Sequence, residues 1–335
     1  MTKRVACVRI THSFKEAIRE ALQWVRWEEI ITEGARVCIK PNLTFPRYKP
    51  GVTTSPQVLR AFLEILRERT DKIAVVETDG GYGSWKVADA FVGHGYDGIC
   101  AELGVELVNL GDEPTESIRF GSRSKQWELP LPTRLLRHTD VFVSMPVPKV
   151  HAMTYLTLAY KNQWGCIPDP MRLRRHFLFD DAVVAINKAL KPKIILGDGT
   201  YFLDRQGPMD GDPVLMNLII AATDAGSFSL YTSELMKIDW HKAPHLRKAV
   251  ASGDMPASLA EIEVNVPPEA MNDREFHLRR SFRNYLVQPA FRSSYLTWVY
   301  YESWLGLLLH RILYSIARRM EETPFRPVRQ HHGPG

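Results

Sequence analysis

The sequence predicts an α/β fold: a mostly parallel sheet with helices on both faces, plus a C-terminal helical appendage. Two observations carry this reading. Short, uniformly apolar runs rich in Val and Ile recur along the chain, and segments with helical patterning and caps separate them. Strands that read as unbroken apolar runs are buried on both sides, which an alternation of strand and helix provides.

Residues 5–10 form the first apolar, β-branched run. Ser13 followed by Glu16 makes a capping box for a helix reaching about Ile31. The run "RVCI", residues 36–39, is a short buried strand that ends at Lys40, Pro41 and Asn42. Ser55 before Pro56 pairs an N-cap with proline at the first helical position, opening a helix to about Arg69. "KIAVVET", residues 72–78, is the next strand, followed by Asp79-Gly80-Gly81. A helical stretch follows Trp85, and residues 105–110 read as strand. "TDVFVSMP" begins a strand near Asp140, residues 180–190 read as helix, and "KIILGDG" as the next strand. Residues 214–236 continue the α/β pattern. Beyond Asp239 the pattern loosens, with helices expected over residues 273–286 and 295–320. The expected division is an α/β domain over 1–238 carrying the site, a mainly helical extension over 239–320, and a disordered tail over 321–335.

The 335 residues suffice for a substantial core, and 45% hydrophobic with 24% charged residues is ordinary globular composition. A net charge of +5 is too small to argue for nucleic acid, and no zinc-finger spacing or basic heptad helix accompanies it. The cysteines Cys7, Cys38, Cys100 and Cys166 lie far apart with no CxxC, which argues against local zinc or iron–sulfur motifs. Cys7 and Cys38 sit in apolar runs as small hydrophobes. The apolar part of the N-terminus is too short for a secretory signal, so a reducing cytoplasm is the expected compartment. The aromatic, leucine-rich stretch 295–320 is interrupted by Glu302, His310 and Arg311. That argues against a spanning helix and for packing on the domain, a dimer contact or a membrane-surface contact. There is no GxxxxGK[ST], and no GxGxxG follows the first strand.

Open parallel sheets bind ligands beyond the carboxyl ends of their strands. Four expected strands end there in residues with chemical capacity: Lys40 and Asn42, Glu77 and Asp79, Lys149 and His151, and Asp198. Each also has a local reading. Asp79 and Asp198 precede glycine and fit turns, and Lys161-Asn162 fits a helix C-terminus. His176 follows Arg174 and Arg175 in a basic run.

The ordered motifs "VCIKPN", "TTSP", "PVPKVH", "YKNQWG", "RRHF", "ILGDG" and "GPMDGDP" resemble the domain-of-unknown-function 362 family across the first two thirds of the chain. The resemblance implies an α/β domain. It also implies a link to iron–sulfur clusters and redox settings, with no established common reaction. The matching positions are Lys40, Asn42, Thr54, Lys149, His151, Lys161, Asn162, Gly165, His176, Asp198, Gly207, Pro208 and Gly211. Two departures stand out. The ferredoxin-like cysteines of many members are missing, and Ser229 or a neighbour stands where the family often has a second acid after Asp224.

The expected function is an enzyme acting on a small anionic substrate, carboxylate or phosphate. Lys40, Lys149, His151, Lys161 and Asp198 are the catalytic candidates, and Asn42, Thr54, Asp79, Asn162 and His176 the binding ones. His151 is the expected general acid/base and Lys40 and Lys149 the stabilisers of negative charge. Asp79 and Asp198 orient these groups or hold a divalent metal. The alternatives are an accessory protein holding a cofactor or iron–sulfur partner, and a peripheral membrane protein acting on a lipidic substrate. A homo-oligomer contact through 295–320 also stays open.

Overall fold

In a computed structural model, described over residues 2–122, 124–304, 306 and 308, the chain builds one large mixed sheet and a separate hairpin. The strands are β1 (Arg4–Arg9), β2 (Val37–Pro41), β3 (Ile73–Glu77), β4 (Glu106–Asn109), β5 (Thr115–Ser122) and β6 (Lys125–Pro132). They continue as β7 (Val141–Met145), β8 (Lys149–His151), β9 (Tyr155–Thr157), β10 (Ile194–Asp204), β11 (Asp212–Ala222) and β12 (Glu263–Val264). The sheet runs β12-β1-β11-β10-β7-β2-β3-β4, with the short β8–β9 pair attached to β10. β10, β7, β2, β3 and β4 are parallel, while β11 is antiparallel to both β10 and β1. The expected α/β fold is therefore present.

The period of two in the strands divides the core. Val37 and Ile39 face one apolar layer with the helices Phe14–Trp24, Pro56–Leu66, Val87–Gly93 and Tyr96–Leu103. Cys38 faces the other, with Phe179–Leu190, Ala225–Leu235 and Pro244–Ala251. All four cysteines are buried thiols, and burial pushes Cys7, Cys100 and Cys166 up to about 12.

Several expectations need correction. The first helix stops at Trp24, because Arg26 takes a left-handed conformation (φ 54°). The chain then re-aims so that Trp27, Ile30 and Ile31 enter the core. The β5–β6 hairpin was not expected, although Ile118, Phe120 and Trp127 alternate with exposed charges and pack inward. Residues 273–281 form no helix. Asp204, buried at the end of β10, accepts from the His277 amide at 2.8 Å and from Arg274 at 3.2 Å, and the Phe276 ring packs on Phe202 at 5.7 Å, tilted by 49°. These contacts, with Arg205 bridging Leu278, keep the segment extended until the short helix Phe282–Val287.

Of the helix expected over 295–320, residues 305, 307 and 309–320 lie outside the described residues, as does the tail 321–335; Trp304, Gly306 and Leu308 are helical, and ahead of them stands the helix Ser294–Tyr301, which closes in a turn at Glu302 and Ser303. This helix packs on the Arg172–Leu178 turn with Thr297 inward, and Arg174 pairs with Glu302 at 3.4 Å. Tyr295, Trp298, Trp304 and Leu308 remain exposed instead of burying against the domain, while Leu305, Leu309 and Ile312 lie outside the described residues. Among the described residues no helix is long and apolar enough to cross a membrane.

Candidate functional site

The carboxyl ends of β2 and β7 and the β8–β9 pair bring half of the expected residues into one polar network. Lys40 Nζ lies 2.8 Å from Glu77 Oε2 and 3.1 Å from the Pro41 carbonyl. Lys149 Nζ donates to Asn42 Oδ1 at 2.9 Å, to Thr44 Oγ1 at 3.5 Å and to the Val52 carbonyl. Asn42 Nδ2 donates to Asn162 Oδ1, and Asn162 Nδ2 donates in turn to the Lys40 carbonyl and Ser144 Oγ. Thr54 Oγ1 receives the Asn42 amide and donates to the Met145 carbonyl. Lys40 and Lys149 thus share one edge of the sheet, two asparagines apart. Burial first, and the Lys40 charge second, push Lys149 down to about 7.

Both aspartates are engaged nearby. Asp198 accepts from the Ser55 amide at 2.7 Å and from the Thr200 amide and hydroxyl. It fixes the start of the helix Pro56–Leu66 to β10. Asp79 accepts from Lys86 at 2.7 Å and the Val87 amide at 3.0 Å, and its carbonyl receives the Arg172 guanidinium. Among the described residues no group of three or more His, Cys, Asp or Glu is placed to hold a metal ion.

A second cluster has a different character. Phe179, at the start of its helix, lies 5.1 Å from the Trp164 ring, 6.4 Å from His176 and 5.6 Å from His245, and Lys161 Nζ sits 5.8 Å over its face. His176 stacks between Trp164 at 5.6 Å and Phe291 at 3.9 Å. Trp164 Nε1, His176 Nδ1 and both ring nitrogens of His245 are buried without a hydrogen-bond partner. The Lys161 side chain makes no hydrogen bond or ion pair with a described residue. Native interiors rarely leave such groups unmet. His151 joins from β8: its Nδ1 accepts from the Met153 and Thr154 amides at 3.0 and 3.3 Å, which places the proton of the neutral ring on Nε2.

Among the described residues no carboxylate acts on these groups. Desolvation, then Lys149, lowers Lys161 well below the usual lysine range, although the residue as a whole keeps some exposure. Desolvation, then Lys161, lowers His151, His176 and His245, the last to about 3. In chemical terms the network around Lys40 and Lys149 is closed, while the ring around Phe179 gathers amine, indole and imidazole nitrogens that lack a hydrogen-bond partner among the described residues.

Of the ten candidates, Lys40, Asn42, Thr54, Lys149 and Asn162 form the closed network, and His151, Lys161 and His176 belong to the open cluster. Asp79 and Asp198 anchor backbone at the rim. Trp164 and His245 were not singled out from the sequence. His245 lies in "APHLRKAV", where only its shared face with the buried Leu246 and Ala249 hints at an inward ring.

These positions fall almost entirely within a match to a family model described as "Domain of unknown function (DUF362)", which covers residues 37–229, more than half of the chain. The chain belongs to the DUF362 family. His245 lies beyond the matched region. A similar protein, the Thylakoid-associated protein of Synechocystis sp., is 26% identical over 220 residues, covering 62% of this chain and 65% of the relative. Within the family region Gly165 packs directly on the Lys40–Glu77 pair, and Thr78 Oγ1 donates to its carbonyl at 2.8 Å. Asp224 caps the helix Ala225–Leu235 by accepting from the Ser227 amide and hydroxyl, and Ser229 Oγ is buried without a partner.

Proposed function

We propose that this DUF362 chain is an enzyme acting on a small anionic substrate, a carboxylate or a phosphate, held by Lys161, His151, His176, Trp164 and His245. The observation that carries the reading is the set of buried nitrogens around Phe179 with no partner and no neighbouring carboxylate among the described residues. Unpaired buried donors of this kind cost roughly 1–3 kcal/mol each, a cost an anion would offset. Lys161 supplies the charge, and His151 is a fixed Nε2–H donor because two amides hold its other nitrogen. His245 is then the better proton carrier, since it can accept on one ring nitrogen and donate from the other. Lys40 and Lys149, already partnered, position the floor of the site instead of touching the substrate.

The test is incubation of the purified full chain with an anionic metabolite pool, followed by mass spectrometry. Depletion of one anion by the wild type, absent with Lys161→Met at unchanged melting temperature, supports the reading. A ligand retained without turnover would instead favour the accessory role.

A second reading has its own observation. Of ten large apolar side chains exposed among the described residues, six lie within residues 282–308: Phe282, Tyr285, Tyr295, Trp298, Trp304 and Leu308. Between Arg279 and Trp304 the sequence holds four arginines and a single acid, Glu302. Aromatic and arginine side chains together suit an anionic bilayer surface. The thylakoid association in the relative's name is in keeping with this. Under that reading the protein is peripheral to a membrane and its anion is a lipid headgroup.

A further inference from the structure

The groups of this cluster come from five elements: Lys161, Trp164, His176 and His245 lie against Phe179 itself, and His151, Lys149 and Arg172 are linked to it through charge interactions with Lys161 or His176. The helix Ala159–Asn162 brings Lys161, and the turn Gln163–Cys166 brings Trp164. The turn Arg172–Leu178 brings His176 and Arg172, and β8 brings His151 and Lys149. The helix Pro244–Ala251 brings His245. Arg172 is occupied by the Asp79 and Asp169 carbonyls, and Lys149 by its three oxygens. The nearest acid in sequence, Asp180, responds to Lys248, Asp181, Arg292 and Arg247 and not to this cluster. Lys161 is the one member felt by all three imidazoles.

We infer that this cluster binds one small oxyanion and that Lys161 takes up a proton as the anion enters. The inference rests on the reading of the cluster as an anion site and adds the protonation state to it. Burial first, and the Lys149 charge second, penalise a cationic Lys161, and no carboxylate among the described residues offers it a counter-charge. The amine is therefore held neutral more readily than an ordinary lysine. A bound anion supplies the missing counter-charge and reverses the balance, so the ammonium forms with the complex. The binding equilibrium then consumes a proton from solvent. Affinity for an anion of constant charge rises as pH falls, by about tenfold per pH unit for one proton. The three imidazoles serve as donors and need not charge, since His151 already presents Nε2–H.

Sulfate is the probe, because its charge does not change between about pH 5 and 9, well above its own second ionisation. Titration calorimetry of the full chain in two buffers of different ionisation enthalpy reads the protons taken up. The expected result is binding with heat that differs between buffers, close to one proton per sulfate, and affinity falling about tenfold per pH unit above neutrality. Lys161→Arg keeps a permanent charge, so it should bind with the same heat in both buffers. Binding by the wild type with buffer-independent heat would overturn proton uptake while leaving the anion site standing. Uptake that persists in Lys161→Arg would overturn the assignment to Lys161. No binding at any pH would overturn the anion site itself.

Discussion

Lys40 Nζ and Glu77 Oε2 meet at 2.8 Å with both side chains almost wholly withdrawn from water, and Gly165 closes over them. Adjacent parallel strands place the pair: β2 and β3 run in register from Val37 opposite Ile73 to Ile39 opposite Val75. Removing one partner leaves an uncompensated buried charge, so Glu77→Gln should cost about 3–5 kcal/mol in urea unfolding. Lys40→Met with Glu77→Leu should cost clearly less than Glu77→Gln alone. Gly165→Ala puts a methyl 2.9 Å from Lys40 Nζ and 3.2 Å from Glu77 Oε1, and should destabilise by roughly 1–3 kcal/mol. A melting temperature unchanged in Glu77→Gln would show that the pair contributes no structural support.

Lys149 gives a pH signature. Its folded-state value is lowered to about 7, from an ordinary value near 10.5 in the unfolded chain. Between those values the unfolded chain binds more protons, so the contribution to stability grows as pH rises and is lost as pH falls through that window. Wild type should gain stability relative to Lys149→Met from pH 7 to 9.5, by up to about 1.4 kcal/mol per pH unit. Parallel pH profiles for the two proteins would mean that the three oxygens around Nζ keep the ammonium charged throughout.

The exposed aromatic strap predicts a surface behaviour. Full-length protein should float with vesicles containing anionic lipid and much less with zwitterionic ones. Replacing Tyr295, Trp298 and Trp304 together with alanine should remove most of that binding without lowering solubility. If the strap instead covers a second subunit, the triple variant should change the sedimentation of the protein and leave flotation unaltered.

The rim was legible because parallel strands announce themselves as apolar runs, and the polar residue after each run is where the backbone leaves the sheet. Lys40, Asn42 and Lys149 were found this way, and the sheet edge does gather them. What sequence could not reveal was who satisfies whom. Glu77 is 37 positions from Lys40 and Asn42 is 107 positions from Lys149, so pairing had to wait for register. The β5–β6 hairpin was missed although its period of two is visible, because a segment bounded by Pro114 and Pro132 between two buried strands resembles a connecting loop. His245 was missed for a different reason. Its partners Lys161 and Phe179 reach it only through the packing of two helices, and no spacing in "APHLRKAV" encodes that. The helix expected over 273–286 failed because Asp204, distant in sequence, offered that backbone a better partner.

His245 separates the functional from the structural reading. The ring is fully buried, touches Phe179, and neither nitrogen has a hydrogen-bond partner. A histidine in that position is worse for folding than an apolar ring of similar shape, because replacing unmet polar atoms removes a desolvation penalty. His245→Phe should therefore raise stability, by about 1 kcal/mol or more, the pattern of sites kept for function at some cost in stability. The same variant should lose the rise in melting temperature that a saturating oxyanion gives the wild type through mass action. A thermal-shift series with sulfate reads both effects at once. Loss of stability together with loss of the sulfate effect would assign His245 to the core. Higher stability with the sulfate effect intact would remove it from the anion site and leave Lys161, His151 and His176 as the groups that hold the ligand.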